Sequence, residues 1–325
     1  MRKTILRFIL IVACSLVALI GQASAQISPQ RIRIAFSSTG VNYADLFLAK
    51  EKGYFREEGL EPQLIQMSSN IAITANIAGE LDGQAAIGSA IRAIQRGAPL
   101  RVVVVTLRRP LFWLVVRPEY RSVKELKGKV LGITTIGGSQ HLRAKGMLAA
   151  GGLDAEKDIT SIQINDQTMQ LQALVSNSVQ ITALSPPWVA VARDKFKMNI
   201  LGSALDRFAG IDSGLAVSLK MLQEKPDLVK KILRARAKGN RYYLENEREG
   251  SEFLARLYKV DIKTALESYR SSKPAFTGTG IPTDDEISEH LASDALILKL
   301  PEPVAPSKIL DFSLQRDVLR ELGIK

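Results

Sequence analysis

Short hydrophobic stretches alternate with helical patterns along much of the chain, and this alternation restricts the fold more than any other feature. Arg31–Phe36 alternates polar and apolar residues with the period of two that is typical of a strand. Further strands are predicted at Glu61–Gln66, Gln84–Ile87 and Arg101–Thr106, with helical patterns between them. Strands that alternate with helices predict an α/β fold with mainly parallel sheets.

A second series of the same kind follows the first. Its predicted strands are Val130–Ile133, Thr160–Ile164, Ile181–Leu184 and Asn199–Leu201, again with helical patterns between them. Past Leu215–Leu219 the patterns are almost entirely helical. A tail with so few strands cannot form a sheet of its own, so we expect it to pack against the first series.

This arrangement predicts two lobes. We expect residues 26–117 in the first lobe, residues 118–211 in the second, and residues 212–325 returning to the first as a mainly helical segment. The chain would cross between the lobes near Arg117–Tyr120 and Arg207–Gly214, and these crossings would act as hinges.

The first 25 residues match a secretory signal peptide. They begin with three basic residues, Arg2, Lys3 and Arg7. The apolar run Phe8–Ile20 is shorter than the roughly 20 residues that span a bilayer. Ala23–Ala25 gives the small-residue cleavage pattern, so we predict cleavage before Gln26 and a periplasmic location. Ile11–Cys14 loosely resembles a lipoprotein box, but few apolar residues precede it, and anchoring at Cys14 is therefore not expected.

Cleavage would also remove Cys14, the only cysteine of the chain. The remaining protein would have no disulfide, thiolate nucleophile or thiolate-bound metal. The same cut removes three positive charges and no negative ones, which lowers the net charge from +11 to +8. The basic residues are spread out and are densest over Lys225–Arg241, which we interpret as a solvated helix face. We expect no nucleic-acid partner.

Three turns with small polar residues follow predicted strands. They are Ser38–Gly40, Gly88–Ser89 and Thr134–Ser139. Each turn would direct backbone N–H groups and hydroxyls to the carboxyl edge of a sheet, where α/β proteins bind ligands. Helix N-termini carry partial positive charge and favour an anionic or polar ligand. Ordinary helix capping explains any one turn equally well, but three equivalent turns favour a cleft.

Other polar positions near the strand ends have two interpretations each. Trp188, after Ser185 and two prolines, would form a wall of the cleft or a buried support for its helix, whereas Trp113 fits a core position. Arg108–Arg109 would clamp an anion or remain solvated. Asp212–Gly214 would contact a ligand or form a turn.

Several catalytic patterns are missing. Gly137–Ser139 is not followed by the Gly-Lys-Ser/Thr of a P-loop, and neither Gly-x-Gly-x-x-Gly nor Gly-x-Ser-x-Gly occurs. His141 and His290 are far apart in sequence, without neighbouring ligands for a metal, and we expect His141 at a solvated helix position. The sequence thus predicts no catalytic residue, no cofactor and no metal site.

The chain resembles the solute-binding proteins of ABC importers in the nitrate, sulfonate and taurine group, also called SsuA/THI5-like or NMT1/THI5-like. The resemblance is carried by Phe47–Phe55 with Glu58–Leu60, Ala86–Ser89, Val123–Lys129 with Leu131–Ile133, and Gly152–Asp154. It implies a two-lobed type II periplasmic binding protein fold with the ligand cleft between the lobes. The ligand-binding positions that we carry over are Ser38, Thr39, Gly88, Ser89, Thr135, Gly138, Ser139, Ser185 and Trp188.

The chain departs from the family pattern at one place. Relatives commonly have Gly-x-Val/Ile-Asp-Ala before the Ser-Pro turn, whereas this chain has Asn177–Ile181, with Gln180 in place of the acid.

The resemblance implies a monomeric, non-enzymatic receptor that delivers a small polar or anionic solute to a membrane permease. Two alternatives remain on the same fold. THI5-like pyrimidine synthases carry a cysteine-rich motif that this chain lacks, and a sensory subunit would differ only in its partner.

Overall fold

The chain forms two five-stranded sheets, in a computed structural model that describes residues 28–208 and 210–324. The first sheet contains β1 (Gln30–Phe36), β2 (Leu60–Gln66), β3 (Gly83–Ala86), β4 (Leu100–Leu107) and β10 (Ser213–Ser218), in the order β2-β1-β3-β10-β4. The second contains β5 (Trp113–Val116), β6 (Val130–Ile133), β7 (Thr160–Gln163), β8 (Ile181–Leu184) and β9 (Asn199–Ser203), in the order β7-β6-β8-β5-β9. The predicted signal peptide, residues 1–25, lies outside the described residues.

Helices connect and cover the strands. Around the first sheet, before the chain crosses, they are α1 (Ala44–Glu51), α2 (Tyr54–Glu57), α3 (Ser69–Ile77) and α4 (Ile87–Gln95). Around the second sheet they are α5 (Ser139–Ala150), α6 (Gln167–Val175) and α7 (Trp188–Phe196). The return segment contains α8 (Leu219–Glu224), α9 (Pro226–Glu245), α10 (Glu247–Tyr258), α11 (Ile262–Ser272), α12 (Asp284–Leu298) and α13 (Ser313–Leu322). Short 3₁₀ turns lie at Val41–Tyr43, Val123–Leu126, Lys273–Ala275 and Pro306–Lys308.

Each sheet is parallel except for one reversed strand. β1 runs parallel to β2 and β3, whereas β10 runs antiparallel to β3 and β4. In the second sheet, β6 runs parallel to β7 and β8, and β5 is the reversed strand. The two reversed strands are those that follow a crossing between the sheets. Both therefore begin at the sheet edge where their neighbours end.

The first crossing comes earlier than predicted. Trp113–Val116 was expected in the first lobe, but it pairs with β8 and β9 of the second sheet. The chain therefore leaves the first sheet at residues 108–112, rather than near Arg117–Tyr120. A short hydrophobic strand fits either sheet equally well, so its composition does not reveal which one it joins. The second crossing lies between β9 and β10, at residues 204–212.

The helical tail packs against the first sheet. The apolar face of α9 enters the same core as Ile32, Ile34 and Leu46. Arg236 of α9 forms a buried ion pair with Asp45 of α1, with Nε and Nη2 at 2.9 and 2.6 Å from Oδ2. We call the elements around the first sheet, including the tail, the first lobe, and those around the second sheet the second lobe.

Among the described residues, no helix combines the length and the apolar character needed to cross a membrane.

Candidate functional site

A small polar cavity lies between the two lobes. It is enclosed by the ends of β1, β3 and β6, the start of α5 and the end of the second crossing. Its volume is about 20 Å³, enough for about one water molecule. The lining residues are Ser37, Ser38, Asn42, Tyr43, Ser69, Ala86, Ser89, Phe112, Thr134, Gly138, Ser139, Gln140 and Asp212. Four predicted positions, Ser38, Ser89, Gly138 and Ser139, are among them.

The first lobe contributes the loop after β1. Ser38 and Asn42 are buried, and the Asn42 amide donates to Asp212 Oδ2 at 3.3 Å. Tyr43, which immediately precedes α1, shares a hydrogen bond of 2.7 Å with the Ser37 hydroxyl. Burial raises the pKa of Tyr43 well above its usual value, so the phenol remains a neutral donor and acceptor.

The second lobe contributes the turn between β6 and α5. Ser139 is the first residue of α5, and the buried Gln140 accepts a hydrogen bond from the Thr134 N–H at 2.6 Å. Gln140 is held in place by Gln170 of α6, whose Oε1 accepts from its amide at 2.9 Å. These hydrogen bonds hold the turn in place at the carboxyl edge of the second sheet. A helix N-terminus oriented in this way presents free N–H groups to the cavity.

The two lobes approach each other closely at Gly88. A Cβ there would overlap with the Ser139 hydroxyl of the other lobe and would contact Asp212. Gly88 therefore belongs to the site through the space it leaves rather than through a side chain. A residue without a Cβ is what permits this close approach.

Asp212 is the acidic group of the cavity, and it lies on the second crossing. It is 8% exposed and accepts hydrogen bonds from Asn42 and Ser139, one from each lobe. Burial raises the pKa of Asp212, while the nearby charge of Arg143 partly opposes the rise. Asp212 is thus a buried residue that lines the cavity immediately before β10.

Two predicted positions, Thr39 and Thr135, form hydrogen bonds with the opposite lobe instead of lining the cavity, and Ser185 forms its hydrogen bond within its own lobe. The Thr39 hydroxyl donates to Asp166 Oδ2 at 2.8 Å, and Ser69 N–H donates to the Thr135 hydroxyl at 3.4 Å. Ser185 donates to Gln167 at 3.0 Å, and the Gln167 amide donates to Ser38 across the cleft at 3.2 Å.

Asp166 is the centre of the polar contacts between the lobes. Besides Thr39, it accepts from Gln66 Nε2 at 2.9 Å and caps α6 through the Thr168 N–H at 2.8 Å. Burial alone would raise the pKa of Asp166, but the hydrogen bonds from Thr168, Gln66 and Thr39 lower it below its usual value. We call Thr39, Gln66 and Asp166 the cross-lobe cluster.

Trp188 also contacts the other lobe. Its indole N–H donates to the Thr39 carbonyl at 3.0 Å, and its ring packs edge-on against Tyr258 of α10 at 5.8 Å between centroids. The ring does not line the polar cavity. Trp188 packs against hydrophobic clusters of both lobes, so its surroundings depend on how the lobes meet.

The remaining predicted positions lie elsewhere. Arg108 pairs with Glu286 at 2.9 Å, and neither Arg108 nor Arg109 is among the residues that line the cavity. The prediction of a solvated His141 is wrong, because its ring is buried. It accepts from the Gly137 N–H at 3.0 Å and contacts the Ser161 hydroxyl at 3.1 Å. Burial also lowers the pKa of His141.

Several residues of the site have no distinctive sequence pattern. Asn42, Tyr43 and Ser69 belong to helical patterns and carry no local signal. Asp166 and Gln167 resemble ordinary helix capping. The clearest sequence signal is Arg92, a charged residue that interrupts the apolar face of α4. In the structure it is buried, and its Nη2 donates to Ser139 of the other lobe at 3.3 Å.

The chemistry of the cavity is that of a polar binding site. Its described lining offers hydroxyls, amides and one carboxylate. In residues 28–208 and 210–324, no group of three His, Cys, Asp or Glu side chains is arranged to hold a metal ion. Hydroxyls and amides both donate and accept hydrogen bonds, so the site suits a small solute with several polar atoms.

Comparison with known proteins gives a family match. Residues 41–249 match the family model described as NMT1/THI5 like. A curated relative, the riboflavin-binding protein RibY of Chloroflexus aurantiacus, is 28% identical over 226 residues. The match covers 66% of this chain and 63% of RibY, so it spans less than two thirds of that relative.

Solved structures share the fold. The alkanesulfonate-binding protein SsuA of Xanthomonas axonopodis pv. citri, bound to MOPS, superimposes with a TM-score of 0.69 at 18% identity, covering 90% of this chain and 98% of that one. The periplasmic nitrate-binding protein NrtA of Synechocystis PCC 6803 gives 0.71 at 15% identity, covering 91% and 90%. The desulfurization enzyme DSZB gives 0.62 at 13% identity, covering 90% and 100%. The fold is thus the two-lobed periplasmic binding protein fold, and it also occurs in an enzyme.

Proposed function

Because the chain belongs to the NMT1/THI5-like family, we propose that it is the solute-binding receptor of an ABC importer. It acts outside the cytoplasmic membrane, captures a small polar or anionic solute between its lobes, and delivers the solute to a membrane permease. The nine sequence-predicted positions serve this function, some as ligand contacts and the others as contacts that hold the lobes together.

One observation carries this proposal: polar groups of both lobes enclose a single cavity at the crossing. Ser38 and Asn42 come from the first lobe and Ser139 from the second, and Asp212 lies on the crossing itself. A ligand that bonds to both lobes at once favours the closed arrangement over the open one. A partner that binds only the closed arrangement can then distinguish the ligand-bound receptor from the empty one.

The enzyme alternative lacks supporting chemistry. A THI5-like synthase would need its cysteine-rich motif, and the only cysteine here is Cys14 in the predicted signal peptide. DSZB shows that the fold alone does not exclude catalysis, so it is the missing cysteine-rich motif, and not the fold, that disfavours the synthase. A sensory subunit would use the same cavity with a different partner.

The names of the similar proteins suggest three kinds of solute: riboflavin, an alkanesulfonate and nitrate. The hydroxyl-rich lining and the N-terminus of α5 favour a compact, polar or anionic group over the wide apolar ring system of a flavin.

A solute panel tests the proposal. Residues 26–325 are titrated calorimetrically with nitrate, ethanesulfonate, taurine, short carboxylates, a pyrimidine and riboflavin. We expect one-to-one binding of at least one polar or anionic solute. Binding of none, together with no small molecule released from the purified protein, would refute the receptor.

The variant Ser139→Asp locates the site. A carboxylate at the start of α5 repels an anion, so we expect affinity to fall at least tenfold, or about 1.4 kcal/mol. The matched control is Ser313→Asp, which places the same residue at the first position of α13, on an exposed surface. Equal affinity of Ser139→Asp and wild type would place the ligand elsewhere.

A further inference from the structure

The cleft continues beyond the polar cavity into a larger open groove, which we call the outer compartment. Ser89 lines both spaces and marks the junction between them. The outer compartment has a volume of about 500 Å³, compared with about 20 Å³ for the inner cavity. Both lobes form it, because Ile73 and Ile297 belong to the first lobe and Leu142 belongs to the second.

Arg92 lies at the junction. Its side chain is buried, and Nη2 donates to Ser89 at 3.4 Å and, across the cleft, to Ser139 at 3.3 Å. Nη1 lies 3.4 Å from Asp294 Oδ1. Hydrogen bonds between charged groups are usually 2.7–2.9 Å long, so Arg92 is loosely held.

Arg236 shows what a tightly paired buried arginine looks like in this chain. Its guanidinium meets Asp45 of the same lobe at 2.6 and 2.9 Å. Arg92 has a comparable burial but longer contacts on every side. Its donors can therefore shift to a better acceptor at low cost.

The lining of the outer compartment is basic and apolar. Two arginines, Arg92 and Arg96, contribute to it, and none of its described lining residues is acidic. Ile73, Leu142 and Ile297 provide apolar surface, and Ile297 is 42% exposed. A site of this composition suits a ligand with an anionic head and an apolar body.

Building on the proposed function, we propose that the outer compartment holds the apolar body of an organic anion whose oxyanion binds Arg92, Ser89 and Ser139. The inner cavity has room for only about one water molecule, so a body of several carbon atoms fits only on the outer side. Contacts of that body with Leu142 and Ile297 link the lobes and add to the closing force.

A chain-length series tests the inference. The protein is titrated with n-alkanesulfonates and n-alkanoates of two to eight carbon atoms. We expect affinity to rise about fourfold per methylene in one series, because each methylene leaves water for an apolar surface. The series with the higher affinity identifies the head group as sulfonate or carboxylate.

Two variants test separately the contacts with the anionic head group and with the apolar body of the ligand. Arg92→Gln is expected to lower the affinity of every member at least tenfold and to leave the dependence on chain length intact. Leu142→Asn is expected to flatten the chain-length dependence and to preserve binding of the two-carbon member. Arg92→Lys, which keeps the charge, should restore part of the affinity, and Arg248→Gln, on an exposed surface, is the control.

Three outcomes would overturn the inference. They are an affinity that stays flat or falls beyond two carbons, an absence of binding in both series, and an Arg92→Gln variant that binds like wild type. The first leaves the receptor proposal intact, with the ligand bound through its head group alone. The receptor proposal itself fails only through the solute panel.

Discussion

Trp188 is the residue whose surroundings respond most directly to the position of the lobes. It donates to the Thr39 carbonyl and packs against Tyr258, and both partners belong to the other lobe. Separation of the lobes would break the hydrogen bond of Trp188 and expose its indole to water. Trp113, in β5 of the second sheet, also has apolar contacts with the first lobe, but its surroundings are expected to change less.

Ligand-induced closure is therefore expected to shift tryptophan emission to shorter wavelength. The variant Trp188→Phe should abolish the shift, and Trp113→Phe should retain it, as measured by fluorescence titration. The opposite pattern of the two variants would refute this account of Trp188.

His290 is a buried residue with a consequence for stability. It is fully buried on α12, near Asp294, and it faces the charges of Arg92 and Arg143. Burial lowers the pKa of His290 from 6.5 to about 4, despite the attraction of Asp294. Between pH 6.5 and about 4, the imidazole of His290 is protonated in the unfolded chain but neutral in the native protein.

The stability of the protein is accordingly expected to fall as the pH drops from 6.5 towards 4, with His290 contributing on the order of 3 kcal/mol. His290→Asn should lose this part of the pH dependence. Urea unfolding at pH 7 and pH 5 measures it, and the same pH dependence in both proteins would contradict the assignment.

At the residue scale, the sequence identified the turns but not their cross-lobe partners. Ser38, Ser89 and Ser139 follow strands, and a local rule places them at the carboxyl edge of a sheet. Asn42, Asp166 and similar residues acquire their roles only when the two lobes meet. That meeting depends on the tertiary arrangement and leaves no local pattern.

At the scale of elements, the alternation of strands and helices predicted most of the fold. The assignment of Trp113–Val116 to the first lobe was wrong because the pairing partner of a short hydrophobic strand is not encoded locally. The last helix, α13, begins only at Ser313. Pro306–Lys308 forms a 3₁₀ turn there, and Leu310 pairs with Val102 at the edge of the first sheet.

The cross-lobe cluster is an element-scale contact that is expected to stabilise closure. Asp166→Asn retains the cap of α6, because the Asn oxygen caps as well as Asp Oδ1, but it replaces Oδ2, the acceptor of Thr39 and Gln66, with an amide NH2 that only donates. We expect ligand affinity to fall several-fold through faster dissociation, with little change in thermal stability, as measured by stopped-flow kinetics.

Asp154→Asn is the matched control, since Asp154 also accepts a backbone N–H two residues ahead but lies on an exposed surface. Because the pKa of Asp166 is lowered in the closed arrangement, its contribution is present above its usual pKa and is lost in more acidic solution. Wild-type affinity in Asp166→Asn would show that the cluster does not hold the lobes together.

At the scale of the whole molecule, the two crossings are the connections on which the proposed function depends. Residues 108–112 and 204–212 join the lobes, and the polar cavity lies between the lobes beside them. Rotation about two adjacent segments opens the cleft without breaking either sheet. A ligand that binds to both lobes then stabilises the closed arrangement of the cleft.

The distance between the lobes tests this central claim most directly. Cleavage at the predicted site leaves a protein without cysteine, so Thr74→Cys and Ile162→Cys allow one spin label on each lobe, both at exposed positions. Pulsed dipolar spectroscopy is recorded with and without the solute that binds in the panel. The account predicts a shift to a shorter, narrower distance distribution on binding, and an unchanged distribution with the solute bound would contradict it.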